Sequence, residues 1–296
     1  MHQNKNQNAP LHVPVLLEEV LQFVDPAPGN SYLDLTAGYG GHASEITKRT
    51  NAPQQTTLVD RDDHAQAVLQ GLFNAGERLI RADFLTASLE LSAEGQTYDI
   101  ILADLGVSSP HLNDAHRGFM FSETGPLDMR MDQRQVLTAS DIVNHWKPDQ
   151  IASILKRYSE EPKAKHIAGL IVAARPIYTT AELADIVKKA WPGHSRTHPA
   201  TRTFQALRIA VNDELGQLER SLPLWLNLLA PGGRLAIVSF HSLEDRIVKQ
   251  FLANASGDRY DAELQLLTKR PVVAGPIELV SNPRARSAKL RVACKK

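Results

Sequence analysis

Three aspartates, each closing an apolar run, are the residues of this chain best placed to do chemistry. Asp34 ends Ser31-Tyr-Leu-Asp-Leu35, Asp60 ends Thr56-Thr-Leu-Val-Asp60, and Asp104 ends Tyr98-Asp-Ile-Ile-Leu-Ala-Asp104. Carboxylates collected at one edge of a sheet attract cations and accept hydrogen bonds from hydroxyls and amines. The first of them runs into Gly38-Tyr-Gly40-Gly41-His42-Ala43, which has the spacing G-x-G-x-x-A between a strand pattern and a helix pattern. In such a turn the first two glycines allow a tight bend and close approach of a ligand, and the third position must be small for the helix to pack on the strand. Asp60 follows roughly twenty residues later, where a carboxylate commonly takes the ribose diol of a nucleotide-type cofactor. A structural turn and a solvated Asp would be the bland alternative. The strand before, the helix after and the distal Asp together favour a nucleoside cofactor.

Charge selects among such cofactors. A pyrophosphate beside the glycine turn would be repelled by Asp34, because like charges in proximity destabilise each other. S-adenosylmethionine carries no phosphate, and its ammonium and sulfonium suit a carboxylate-lined edge. Asp104 adds a third acid at the edge where open α/β sheets bind ligands. A methyl donor is therefore expected rather than a nicotinamide. Asp104-Leu-Gly-Val-Ser-Ser-Pro110 leaves the fourth strand where amine methylases keep an acceptor motif. An exocyclic base amine is a poor nucleophile, since its lone pair is delocalised into the ring. An acceptor on its N–H localises that pair, and positioning with electrostatics supplies most of the rate. Asp104 can fill this role or hold the donor's ammonium, with Ser109 the second catalytic candidate and Ser108 beside it. A mere strand-ending turn is the competing reading.

The elements that must position these groups follow from periodicity. Further strands are expected at Arg78–Asp83, Arg234–Phe240 and Lys289–Ala293, with a weaker one near Glu263–Leu267. Helical patterns between the early strands imply βαβ units and a mainly parallel sheet. Leu229-Ala-Pro-Gly-Gly-Arg-Leu235 reads as a helix stop with a left-handed cap before a strand. The interval from Asp104 to Arg234 is too long for one crossover. Within it, Ile151/Ile154/Leu155/Tyr158, Ile167/Leu170/Ile171/Ala174 and Leu183/Ile186/Val187/Trp191 follow helical spacing, and Thr179-x-x-Glu182 reads as a capping box. The expected fold is α/β: a Rossmann-like S-adenosylmethionine-dependent methyltransferase sheet (1–109 and 206–296, with 1–10 disordered) carrying an inserted helical cap domain (110–205) over the cofactor edge. A long helix from about Thr203 would return the chain to the sheet.

With 296 residues and 43% hydrophobic content, the chain can build a large core. Its apolar runs are too short to span a bilayer, and the polar first ten residues lack a signal-peptide core. A single cysteine, Cys294, precludes an intrachain disulfide and a Cys-based zinc site. These features indicate the cytoplasm. His12, His42 and His241 lie in separate loops without ligand spacing, so no metal is expected. Net charge is zero, from 33 basic and 33 acidic residues, yet the charges are uneven. No acid lies between Asp185 and Asp213, nor after Glu278, and both tracts are basic. Such tracts serve as phosphate footprints or as solvated faces balanced elsewhere. Arg196 and Arg202 are the better phosphate candidates. Phe119 and Phe121 can stack on a flipped base or sit in the core.

Eight blocks in order now carry a resemblance. They are His12-Val-Pro-Val-Leu-Leu17, Asp34-x-Thr-x-Gly-x-Gly-Gly-His42, Asp60-Arg-Asp62, Asp104-Leu-Gly-Val-Ser-Ser-Pro110, Arg117-Gly-Phe-Met-Phe121, Gly125-Pro-Leu-Asp-Met-Arg-Met-Asp132, His198–Arg208 and Ser239-Phe-His-Ser-Leu-Glu-Asp-Arg246. From about residue 12 onward the chain resembles the MraW, or ribosomal RNA small subunit methyltransferase H, family. The resemblance implies N4-methylation of a decoding-centre cytosine in 16S rRNA of the small ribosomal subunit, with S-adenosylmethionine as donor. It implies that Gly40, Gly41 and His42 line the cofactor loop, Asp60 takes the ribose, Phe84 lies by the adenine and Asp104 near the methionine end. His111 stands where the family usually has a cofactor-contacting Gln, and Tyr158-Ser-Glu-Glu161 replaces the usual Tyr-Gly-Glu-Glu. Two other readings compete: a non-catalytic ribosome assembly factor with a structural cofactor, and a DNA amine methyltransferase. The complete acidic set argues against the first, and the Ser-Ser-Pro loop against the second.

Overall fold

The expected strand runs pair into one sheet in the computed structural model, which describes residues 14–106, 114–193, 198–257, 260 and 262–296. They are β1 (Tyr32–Asp34), β2 (Thr56–Val59), β3 (Arg78–Ile80), β4 (Tyr98–Asp104), β5 (Leu229–Ser239), β6 (Leu264–Leu266) and β7 (Lys289–Lys295). Their order is β3-β2-β1-β4-β5-β7-β6. The first five run parallel, and β7 pairs antiparallel with both β5 and β6. The chain divides into two compact units, Met1–Gly106 with Gln217–Lys296, and Val107–Gly216.

In the first unit, alternation along each strand sends side chains to opposite faces. Leu33, Ile101, Leu235 and Ile237 pack with α4 (Phe84–Ala93), α10 (Glu214–Leu228) and α11 (Ser242–Ala255). Tyr32, Ile100, Leu102 and Ala236 pack with α1 (Leu17–Val24), α2 (Gly41–Thr50) and α3 (Asp63–Leu72). Burial on both faces explains why these strands are continuous apolar runs, as in other parallel sheets. Trp225, fully buried, donates its indole N–H to the Ser88 hydroxyl at 2.9 Å. Leu229-Ala-Pro-Gly-Gly departs from its expected role. It forms the start of β5, where pairing with β4 slips between Tyr98 and Ile100. A Cβ on Gly233 would lie 2.8 Å from the Ala230 carbonyl oxygen and 3.0 Å from that of Tyr98, so the slip is possible only for glycine there. Among the described residues no helix is long and apolar enough to cross a membrane.

The second unit has its own core, formed by α5 (Ala139–His145), α6 (Pro148–Ser159), α7 (Ala164–Ala173), α8 (Thr180–Lys189) and α9 (Ala200–Asn212). Capping boxes start α5 (Thr138 with Asp141) and α8 (Thr179 with Glu182). This unit extends to Gly216, beyond the expected 205. The reason is α9, whose buried Phe204, Leu207 and Val211 belong to this core; α10, not α9, returns to the sheet. The segment before α5 is held by buried polar groups. Arg117 donates to the carbonyls of Arg130 and Met131, both at 3.0 Å. Asn212 donates to the Met129 carbonyl at 2.8 Å and accepts the Met131 N–H at 2.9 Å. Asp128 takes the Arg130 guanidinium in a two-pronged bond, 2.8 Å on each arm. The Arg117 and Gly125 blocks of the sequence are thus spent largely on folding this segment.

Candidate active site

Strand order reverses at β1, which has β2 on one side and β4 on the other. The carboxyl ends of β1 and β4, at this reversal, are the usual ligand position in a doubly wound sheet. Asp34 and Asp104 are the last residues of these two strands, and Asp60 directly follows β2. The register sets β1 beside β4 with Asp34 opposite Leu102. The Asp104 N–H then reaches across to the Thr36 hydroxyl at 2.6 Å, tying the two strand ends together.

Asp34 is 2% exposed. Its Oδ2 accepts from the Tyr32 phenol at 2.6 Å and its Oδ1 from the Thr36 N–H at 3.1 Å. Residues i and i+2 of a strand share a face, which is why Tyr32 can reach it. Burial pushes the Asp34 carboxyl up to about 6; the Tyr32 and Thr36 bonds oppose that shift, and Asp60 adds to it. The Tyr32 phenol is itself pushed well above its ordinary range, first by burial and then by Asp34, so it stays a donor. Asp104 is pushed well above the carboxylate range by burial, then by Asp34 and by Glu244. Its side chain keeps 25% of its surface, but Oδ1 is sealed and has no hydrogen-bond partner among the described residues. Oδ2 lies 3.7 Å from His42 Nδ1, while His42 Nε2 sits 3.0 Å from the Val15 carbonyl. Acids held this way resist ionisation until a cation arrives.

Asp60 faces the glycine turn. Its Oδ2 accepts the Gly38 N–H and its Oδ1 the Asp62 N–H, both at 2.8 Å. A carboxylate oxygen can accept more than one hydrogen bond, as binding a ribose diol requires. Gln66 fixes this strand end by donating to the carbonyls of Asp60 (2.8 Å) and Ile80 (2.9 Å). Gly38 has φ +54°, and a Cβ there would meet only the Thr36 oxygen at 3.8 Å, so the backbone is open to a ligand. Gly40 and Gly41 are small for a different reason. A Cβ on them would strike Phe73 at 2.9 Å and Pro14 at 2.7 Å respectively, so packing dictates both.

S-adenosylmethionine fits this donor set. Its ammonium and sulfonium match the two proton-retaining carboxylates, and its ribose diol matches Asp60. Tyr32, Thr36, Gln66 and Glu244 were not singled out by sequence reasoning. Tyr32 had a signal, a tyrosine two residues before the strand-end acid. Glu244 had another: His241-Ser-Leu-Glu244 is a capping pattern, and Glu244 accepts the N–H groups of Phe240 (2.8 Å) and His241 (3.2 Å) at the start of α11.

The remaining candidates divide. Phe84, at the start of α4, is half-buried and meets Trp225 edge-on at 5.6 Å. Phe119 is corrected: at 7% exposure it is core of the inserted unit, leaving no face for a base. Phe121 stays half-buried, stacked on His198 at 4.5 Å and edge-on to Phe204 at 4.9 Å. Arg202 is exposed on α9. Ser108, Ser109, His111, Arg196 and His12 lie outside the described residues. Part of the basic tract after Glu278 is engaged within the first unit. Lys289 and Arg291 bond Asp245 at 3.1 and 2.6 Å, and Lys295 caps the carbonyls of Leu226 and Leu229. Arg208 is likewise engaged, by a two-pronged pair with Glu214 at 2.9 and 2.8 Å.

Comparison with known proteins agrees with a methyl-transfer site. The profile of the MraW methylase family matches residues 9–296. Ribosomal RNA small subunit methyltransferase H of Synechocystis sp. is 46% identical over 293 residues, covering 95% of this chain and 92% of that protein. The protein of the same name from Cyanothece sp. is 49% identical over 291 residues, covering 96% and 94%. Among solved structures, an rRNA methylase from Streptococcus thermophilus aligns with a TM-score of 0.43 at 10% identity, covering 96% of this chain and 98% of that one. With a family match over nearly all its length and relatives of this identity, the chain belongs to the MraW methylase family.

Proposed function

We propose that the protein transfers the methyl group of S-adenosylmethionine to the N4 amine of a cytosine in the decoding centre of 16S rRNA, acting in the cytoplasm on the small ribosomal subunit. The observation that carries this reading is Asp104: a strand-end carboxylate whose side chain keeps 25% of its surface while burial raises its affinity for protons. Asp34 and Asp60 bind and orient the donor, and the inserted unit recognises the RNA. The bound donor supplies an electrophilic methyl on a cationic sulfur. Asp104 accepts a hydrogen bond from the exocyclic N–H and so returns lone-pair density to the nitrogen. Asp104, or water beside it, would take the proton that the amine gives up on accepting the methyl group, with the donor held by Asp34 and Asp60 supplying the sulfur as leaving group. The relatives' names, each a small-subunit rRNA methyltransferase, support the substrate class.

The test is transfer of a labelled methyl group to small subunits that lack the modification, followed by mapping of the modified nucleotide. Asp104→Asn is expected to lower turnover by roughly 10²–10³, the range for loss of one positioned electrostatic group. Full turnover in Asp104→Ala with normal donor affinity would overturn its role. Donor binding without transfer to any RNA would favour the assembly-factor reading, and label on DNA the other alternative.

A further inference from the structure

The inserted unit carries a cleft of about 940 Å³ at the corner where α6, α7 and α8 meet, remote in sequence from every donor-site residue. We propose that this cleft grips the sugar–phosphate backbone of the substrate RNA, an inference that rests on the proposed function for the identity of its partner. Four lysines line it: Lys156 from the last turn of α6, Lys163 and Lys165 from the start of α7, and Lys189 from the end of α8. His166 joins them. Lys156, Lys165 and Lys189 are exposed and form no ion pair among the described residues.

Two acids share the cleft with these lysines. Glu161 is 2% exposed and its Oε1 is held by the Lys163 N–H at 2.9 Å. Glu160 is exposed, in a left-handed conformation at the end of α6, and already has a partner. Lys163 is preset: its Nζ donates to the Ala190 carbonyl at 2.8 Å and lies 4.2 Å from the Trp191 ring centre.

The contrast with the other basic residues matters. A cation already bonded to a carboxylate must lose that bond before it can take a phosphate. Arg208, Lys289 and Arg291 are in that position; the cleft lysines are not. Lysines presented as point charges from three helices around a hollow suit phosphodiesters, which fix register without reading sequence.

The test compares the wild-type protein with K156Q/K165Q/K189Q and with the charge-preserving K156R/K165R/K189R. The probe is labelled, protein-free small-subunit rRNA, and its affinity is followed against KCl concentration. Each lost phosphate contact lowers the slope of log K against log salt by about 0.7–0.9, so the glutamine variant should show a slope shallower by roughly two to three. Its affinity near 100 mM salt should fall by about tenfold or more, while the arginine variant keeps the wild-type slope. An unchanged slope and affinity in a glutamine variant with a normal melting transition would overturn the proposal. Displacement of the RNA by poly-glutamate at equal charge concentration would overturn it too, in favour of an acidic protein partner. The two readings fail separately. Absence of methyl transfer with the slope change intact sinks the proposed function alone, and normal transfer to cytosine with an unchanged slope sinks the cleft.

Discussion

Asp34 is ionised at a lower pH in the unfolded chain than in the fold, and that difference has a sign. The folded carboxyl titrates at about 6 against an ordinary 3.8, so between these values the native state holds a proton that the unfolded chain has lost. Stability from this group is present below about pH 4 and falls as pH rises to about 6, by about 3 kcal/mol at roughly 1.4 kcal/mol per pK unit. A bound cation reverses the preference. Affinity for S-adenosylmethionine is therefore expected to rise through about pH 6, with proton release visible as a buffer-dependent binding enthalpy. Tyr32→Phe removes a bond that favours the ionised form of Asp34. It should move the midpoint of that profile upward by roughly one pH unit, since hydrogen bonds to charged groups contribute about 1.5 kcal/mol or more. A profile unmoved in Tyr32→Phe would show that Asp34 does not govern donor affinity. The three aspartates were legible in the sequence because each ends an apolar run. Thr36 and Gln66 were not, since their bonds exist only once strand register brings distant backbone groups to them.

At the scale of elements, all the strands were legible: the central ones because continuous burial leaves a continuous apolar signature, and the short β6 because Leu264 and Leu266 flank an exposed Gln265. The glycines before Arg234 were misassigned for a physical reason: a helix-ending turn and a slipped strand ask for the same residues. The structure separates their roles. Gly232, at φ +77°, has open space where a Cβ would go, whereas Gly233 is pressed against backbone oxygens. Gly233→Ala is expected to destabilise the protein by roughly 2 kcal/mol or more, as forced backbone shifts do. Gly232→Asn should cost well under about 1 kcal/mol, because asparagine tolerates the left-handed region. Denaturant midpoints of the two variants decide the matter, and equal losses would contradict the distinction. The extent of α9's association was not legible either, because an amphipathic face does not name its partner. The pairing of Lys289 and Arg291 was not legible for the same reason, their counter-ion Asp245 lying far back in the sequence.

For the whole molecule, the inserted unit has a core made entirely of its own residues, from Phe119 to Val211. Residues 114–216 expressed alone should therefore melt in one cooperative transition, followed by circular dichroism; a gradual, non-cooperative loss of helix would disprove an independent core. The sheet is a different case. Its last strand along the chain, β7, is not an edge but lies between β5 and β6, and among the described residues β6 pairs within the sheet with β7 alone. Synthesis from the amino end thus makes β6 before the strand that will hold it, and leaves β5 with a bare flank in the meantime. A nascent chain of this protein carries an unfinished wall until β7 slides into place, so the interval before that insertion is when chaperones have most to shield.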